Sequence, residues 1–165
     1  RDGDLENPFW EYSLAHYARP EVAECCLAYQ DQQGANVNVL LFCCWLGCCG
    51  IQLEYKELVE AQEQIEDWVF NTVEPLRAVR RFMASSSWSN DTDVSKIQKV
   101  ELMTEKVVQK ILYSWWRRQD FVVRNTLGRE LQAANLNLYL ATLNGAKVSN
   151  DSPLLWPISD YLASD

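Results

Sequence analysis

The sequence has little histidine and none of the motifs that commonly mark a catalytic site. It contains one histidine among 165 residues. The phosphate-binding, dinucleotide-binding, zinc-protease, serine-hydrolase and Cys-x-x-Cys motifs are all missing. The Glu-x-x-His motif that di-metal helical bundles use is missing as well. These absences argue against the common hydrolases, nucleotide-dependent enzymes and metalloenzymes, and they favour a binding protein over an enzyme.

Basic residues are in short supply too. The chain has 15 Lys and Arg against 23 Asp and Glu, a formal net charge of −8. Nucleic acid and anionic membranes both select a surplus of basic residues, so neither is expected as a partner. The longest apolar run, from Val37 to Ile51, is too short to cross a membrane and predicts a buried core helix. The N-terminal RDGDLENPF carries no apolar signal segment. We therefore expect a cytoplasmic protein whose partner is another protein.

The six cysteines occur as three adjacent doublets inside helical patterns. Neighbouring residues on a helix point about 100° apart and do not bond each other easily, so we predict buried thiols rather than disulfides. A zinc site at Cys44 and Cys48, completed by Cys25 or Cys26, is the alternative. It is disfavoured because such sites normally use loop knuckles. We expect no metal and no cofactor.

Helix start and stop residues divide the chain into six or seven helices. Asn7 with Pro8, Pro20, Gly34 and Pro75 are the clearest signals. The predicted helices span 8–18, 20–33, Asn36 or Asn38 to Gly50, 54–72, 75–84, 94–119 and 126–143. A polar loop at 85–93 and an irregular tail at 145–165 complete the chain. The prediction is an all-α, compact single domain over 1–165, with the very apolar third helix at its centre.

Several segments resemble an uncharacterised family of small, mainly proteobacterial proteins. The NPFW opening at residues 7–10 and VEPLR at residues 73–77 are the most specific, and KVELMTEKVVQ and NLNLYL add to them. The resemblance spans roughly residues 7–142 and implies a bacterial, all-helical domain of unknown function. It implies no activity, cofactor or substrate.

Glu101 is the most informative single residue. On a helical wheel it lies among the apolar residues of the 94–119 helix, whereas Lys99, Lys106, Lys110 and Gln109 are predicted to face away. A carboxylate in an apolar stripe needs a partner or a proton. We expect Arg80 to be the first partner and Arg77 the second, in a structural ion pair between two helices. The alternative is a carboxylate with a shifted pKa in a cleft.

Other candidates rest on single residues. His16 shares a helix face with aromatic residues, where a packed histidine is more common than a general base, although it remains a candidate for the cleft. Trp88 stands in a polar loop and is a candidate interface anchor, or it folds back onto the core; Trp116 lies at the margin of its helix. Glu57 and Glu60 belong to an acidic helix that either pairs with a basic helix or docks a protein.

These observations leave two functions open. The first is a non-enzymatic interaction or regulatory protein that presents the acidic helix and aromatic anchors to a protein partner. The second is a small enzyme or ligand-binding protein with a cleft near Glu101, Arg77, Arg80 and His16. A closed core beside Glu101 would favour the first, and a cleft lined by Glu101 and an arginine would favour the second.

Overall fold

The protein is all-helical, as predicted. A computed structural model describes residues 5–157, and seven α-helices make up most of this part. They are α1 (Pro8–Tyr17), α2 (Pro20–Gln33), α3 (Val37–Cys48), α4 (Tyr55–Trp68), α5 (Glu74–Ser85), α6 (Asp91–Arg117) and α7 (Gly128–Thr142). None of these helices is both long and apolar enough to span a membrane.

Short polar side chains and prolines begin the first three helices. The Asn7 side chain accepts a hydrogen bond from the Trp10 amide, and Pro8 follows at the first helical position. Of the two candidate caps for α3, the structure selects Asn36, whose side chain accepts from the Asn38 amide. Gly34 ends α2 in the left-handed conformation, with φ of 68°.

The predicted break at Pro75 is wrong. Residues Val69–Val73 form a π-helical segment that joins α4 to α5 without an interruption, and α5 already begins at Glu74. The Glu74 amide donates to the Val69 carbonyl, five residues back. Proline lacks an amide hydrogen, and its ring clashes with the carbonyl four residues earlier in an α-helix. The wider π turn relieves this clash, so the proline is accommodated inside one long helix.

The apolar third helix occupies the centre, as expected from its composition. Every residue from Asn38 to Gly47 is buried. α7 packs closely along α3 because Gly47 has no side chain: a Cβ there would lie 2.5 Å from the Gln132 amide nitrogen. Buried amides of α7 then bond α3 carbonyls, with Asn135 Nδ2 donating to Cys43 O and Gln132 Nε2 to Cys44 O. These bonds place polar side chains in the close contact between α3 and α7, where Gln132 Oε1 has no hydrogen-bond partner among the described residues.

The end of the described chain belongs to the core, although its sequence predicts only irregular structure. The backbone after α7 is irregular, yet Leu154, Leu155 and Trp156 are all buried. Burial fixes this segment without a helix. Residues 158–165 of the predicted tail lie outside the described part.

A helical hairpin consists of α5, the loop after it and the first part of α6. The loop is shorter than the predicted 85–93, because Asn90 caps α6 and the helix begins at Asp91. α5 contains no buried residue. The hairpin therefore leaves space between itself and the first two helices.

Candidate functional site: a cleft beside Glu101

A cleft of about 340 Å³ lies between α1, α2, α3 and the α5–α6 hairpin. Its apolar lining includes Trp10, Leu14, Tyr17, Leu27, Leu41 and Leu102. Its polar lining includes Ser13, Asn38, Arg77, Arg80, Glu101, Glu105 and Gln109. The volume is at the small end of the range of about 300–1,000 Å³ that is typical of small-molecule sites.

Glu101 forms the centre of an ion network in this cleft. It is 7% exposed, and Arg80 reaches it through two nitrogens, with Nε 2.5 Å from Oε2 and Nη2 3.3 Å from Oε1. Arg77 Nε lies 3.5 Å from Glu101 Oε1, and Arg77 Nη2 lies 3.3 Å from Glu105 Oε1. The structure thus brings Glu101, Arg80 and Arg77 together at one wall of the cleft, in the order of proximity expected from the sequence. With Glu105, the network contains two carboxylates and two arginines.

The two carboxylates are not equivalent. Burial raises the pKa of Glu105 above its ordinary value, and the neighbouring Glu101 raises it further; Arg77 and Arg80 lower it but do not compensate fully. Glu101 receives both arginines, whereas Glu105 has, within the described residues, only the Nη2 ion-pair contact from Arg77. One side of the network is therefore closed, and the other side retains a carboxylate whose charge is incompletely balanced.

Two buried polar groups in the cleft lack partners. Within the described residues, Ser13 Oγ and Gln109 Oε1 make no hydrogen bond. Ser13 is 3% exposed and Gln109 is 1% exposed. Gln109 Nε2 donates to Asn38 Oδ1 at 3.0 Å, and Oε1 is left as an acceptor. An unpaired buried polar atom costs about 1–3 kcal/mol, so a hydrogen-bond donor that enters from the cleft and reaches these atoms would be favoured.

The prediction that Gln109 faces away with the lysines is wrong. Gln109 follows Glu105 and Glu101 at intervals of four residues, so the three lie on successive turns of one helix face. This spacing is the signal that could have found it, but the wheel centred on the apolar residues assigned Gln109 to the solvent side. Ser13 carries no comparable signal, because a serine on an amphipathic helix is common.

A family model described as "Protein of unknown function (DUF2390)" matches residues 8–112. The match covers more than half of the chain. This chain belongs to that family. The matched segment extends from the start of α1 into α6 and contains every residue that lines the cleft. It ends before α7, whereas the resemblance seen in the sequence ran to about residue 142. No curated protein and no solved structure matches the chain.

His16 does not line the cleft with Glu101; it is a packed, hydrogen-bonded histidine, as its aromatic helix face predicted. It is fully buried between α1 and the end of the described chain. Its Nε2 donates to the Leu154 carbonyl at 3.0 Å, and its ring stacks on Trp156 at 5.0 Å. Burial lowers the pKa of His16 to about 4, with the positive charge of Arg19 lowering it further. A neutral histidine in this position serves packing.

The two tryptophan candidates have different surroundings. Trp88 is 96% exposed at the tip of the α5–α6 hairpin, so it does not fold back onto the core. Trp116 is half-buried and packs edge-on against Trp45, with ring centroids 4.9 Å apart. Phe82, on the same hairpin as Trp88, is 76% exposed. Among the tryptophan candidates, Trp88 offers a free aromatic surface.

The acidic helix places its two candidate residues in different roles. Glu57 caps α4, since its carboxylate accepts from the Glu54 amide at 2.8 Å. Glu60 is half-buried on the same helix. A groove of about 410 Å³ runs beside α4 and the π-helical segment, and Glu63, Glu66 and Glu74 line it together with Phe70. Phe70 is 68% exposed.

The cysteines are free thiols in the structure. Burial raises the pKa of Cys26, Cys43 and Cys49 to about 12, which holds these side chains as unreactive thiols. In the described residues, no group of three or more His, Cys, Asp and Glu side chains is arranged to hold a metal ion. Cys26, Cys43 and Cys44 are buried and serve as small core residues, whereas Cys25, Cys48 and Cys49 are half-buried against the core.

Proposed function

We propose that this chain is a non-enzymatic, cytosolic bacterial binding protein whose cleft beside Glu101 takes a small amphipathic molecule. The observation that carries the proposal is the pair of buried, unpaired polar atoms in the cleft, Ser13 Oγ and Gln109 Oε1. Such atoms are costly in a closed core and useful in a site that a ligand completes. The bacterial origin follows from the sequence resemblance alone.

The walls of the cleft support an amphipathic ligand. Leu14 and Leu102 line it and are about half exposed, at 51% and 50%. Covering them would remove apolar surface from water, a gain of roughly 25 cal/mol for each Å². The charged groups lie on α5 and α6, at Arg77, Arg80, Glu101 and Glu105, whereas the apolar lining comes mainly from α1, α2 and α3. A ligand with one apolar end and one polar end matches this division.

The residues favour binding over catalysis. Glu101 is held by two arginines and is poorly placed to exchange a proton with a substrate. Ser13 has no hydrogen-bonded base, and His16 lies in a separate part of the core. Nucleophilic catalysis needs a nucleophile within hydrogen-bonding reach of a base. The cleft supplies recognition groups without that arrangement.

The test uses prodan, a small neutral dye whose emission shifts in apolar surroundings. We expect saturable binding to the wild-type protein. Leu102→Trp should weaken binding at least tenfold, because the larger side chain fills the cleft. Leu127→Trp is the matched control, since Leu127 is 71% exposed and does not line the cleft. Absence of saturable binding, or equal binding by both variants, would refute the proposal.

A second candidate function is docking of a basic protein at the groove over the π-helical segment. The groove combines three carboxylates with the exposed ring of Phe70, and π-helical turns occur frequently at functional sites. A basic partner with an apolar anchor would complement this surface. Glu63→Lys with Glu66→Lys should abolish retention of basic proteins from a cell lysate. The exposed pair Glu24→Lys with Glu130→Lys carries the same charge change and should retain them; equal loss would refute the groove as the contact.

A further inference from the structure

We propose that the cleft selects molecules that carry a primary amine, held by Gln109, Ser13 and Glu105, on a short apolar body. This inference rests on the proposed binding function and specifies the chemical class of its ligand. The three residues come from two elements, Ser13 from α1 and the other two from α6. All three residues line the same cleft.

The unpaired atoms require a donor. Gln109 Oε1 is a carbonyl oxygen and only accepts hydrogen bonds, and Gln109 Nε2 already donates to Asn38 Oδ1. Ser13 Oγ both donates and accepts. A carboxylate or phosphate ligand, which only accepts, would leave Gln109 Oε1 without a partner. An ammonium has three donors and satisfies both atoms.

The arginines of the cleft do not favour an anion. Arg80 gives two nitrogens to Glu101, and Arg77 is divided between Glu101 and Glu105. An anionic ligand would have to compete with carboxylates that the protein already supplies, inside a chain of net charge −8. The same overall charge attracts a cation toward the surface.

Glu105 distinguishes an amine from a neutral donor such as an alcohol. It lies one helical turn from Gln109, and a single arginine nitrogen contacts it. Its raised pKa shows that burial is incompletely compensated by the two arginines. An ammonium next to Glu105 would stabilise the ionised carboxylate, and an alcohol would not. The aromatic rings of Trp10 and Tyr17 also line the cleft and suit the apolar body of such an amine.

The experiment compares three probes with the same phenethyl body: phenethylamine, phenethyl alcohol and hydrocinnamate. Calorimetric titration at neutral pH should show phenethylamine binding about tenfold tighter than either of the others, the size expected for one charge-assisted hydrogen bond. Ser13→Ala and Glu105→Gln should each reduce this preference. Ser13→Ala breaks no hydrogen bond of the protein, so it tests selection without disturbing the fold.

Each result has a definite meaning. Tighter amine binding that Ser13→Ala and Glu105→Gln reduce supports the inference. Equal affinities for all three probes, or preference for hydrocinnamate, overturn the amine selection and leave the binding function standing. Failure of all three probes together with failure of prodan overturns both the amine selection and the binding function.

Discussion

The ion network at Glu101 gives the sharpest prediction for stability. Glu101→Gln keeps the size of the side chain and removes the charge that Arg80 and Arg77 share. A glutamine can accept a hydrogen bond from one arginine nitrogen, but it is neutral and does not balance the positive charges of the arginines. Both arginines then remain in a partly buried site with a single carboxylate, Glu105, between them.

The magnitude follows from the exposure of the three side chains. Removing one partner of a fully buried ion pair costs about 3–5 kcal/mol. Here the Glu101 side chain is 10% exposed, but those of Arg80 and Arg77 are each 24% exposed, so water takes over part of the lost interaction. Arg77 also keeps its contact with Glu105. We therefore expect Glu101→Gln to lower the free energy of unfolding by about 2–3 kcal/mol.

Urea denaturation at neutral pH measures this loss as a shift of the midpoint at constant slope. Glu24→Gln is the control, because Glu24 is exposed and outside every ion pair of the described residues; it should change stability by less than about 0.5 kcal/mol. Glu101→Leu combined with Arg80→Met should recover much of the loss, since no unbalanced charge of that pair remains. The network would be refuted as a source of stability if the losses from Glu101→Leu and Arg80→Met simply added in the double variant. A Glu101→Gln variant as stable as the control would refute it as well.

Three further predictions use the same denaturation assay. Glu105→Gln should be neutral or stabilising at neutral pH, because the raised pKa of Glu105 means that its ionisation weakens the fold. The stability advantage of this variant over wild type should shrink as the pH falls through that pKa. A loss of stability as large as that of Glu101→Gln would contradict this. The lowered pKa of His16, about 4 against an ordinary 6.5, predicts stability that is complete above about pH 6.5 and is lost as the pH falls toward 4; His16→Gln should flatten this decline, and an unchanged decline would assign it to other groups. Trp88→Ala should have little effect, whereas Trp45→Ala should cost about 3–5 kcal/mol; equal losses would place Trp88 in the folded core.

Periodicity and capping residues predicted the helices well because each signal is local. Asn7 and Gly34 define helix ends through bonds and backbone angles within a few residues. The helix break predicted at Pro75 is wrong because the effect of a proline is not purely local. Proline disfavours a continuing α-helix, but it does not forbid a π-helical turn, and that choice depends on how the long helix packs.

The candidate site was predicted in part. The apolar stripe of α6 placed Glu101 in the interior, and charge balance then required an arginine nearby. The cleft itself depends on the space between α1, α2 and the α5–α6 hairpin, which no local pattern encodes. Ser13 becomes notable only when its hydroxyl is found buried without a partner, and His16 separates from the site only because Leu154 and Trp156 pack over it.

The extent of the family match indicates which part of the fold the cleft belongs to. The matched segment, residues 8–112, contains the whole cleft, whereas α7 and the buried end of the described chain lie outside it. α7 packs against α3 through Asn135 and Gln132 and does not line the cleft. A site built entirely from α1, α2, α3, α5 and α6 therefore belongs to the part of the fold that defines the family. If the cleft is a binding site in this chain, amine selection by Gln109 and Ser13 can be sought in any other member that carries the same two residues.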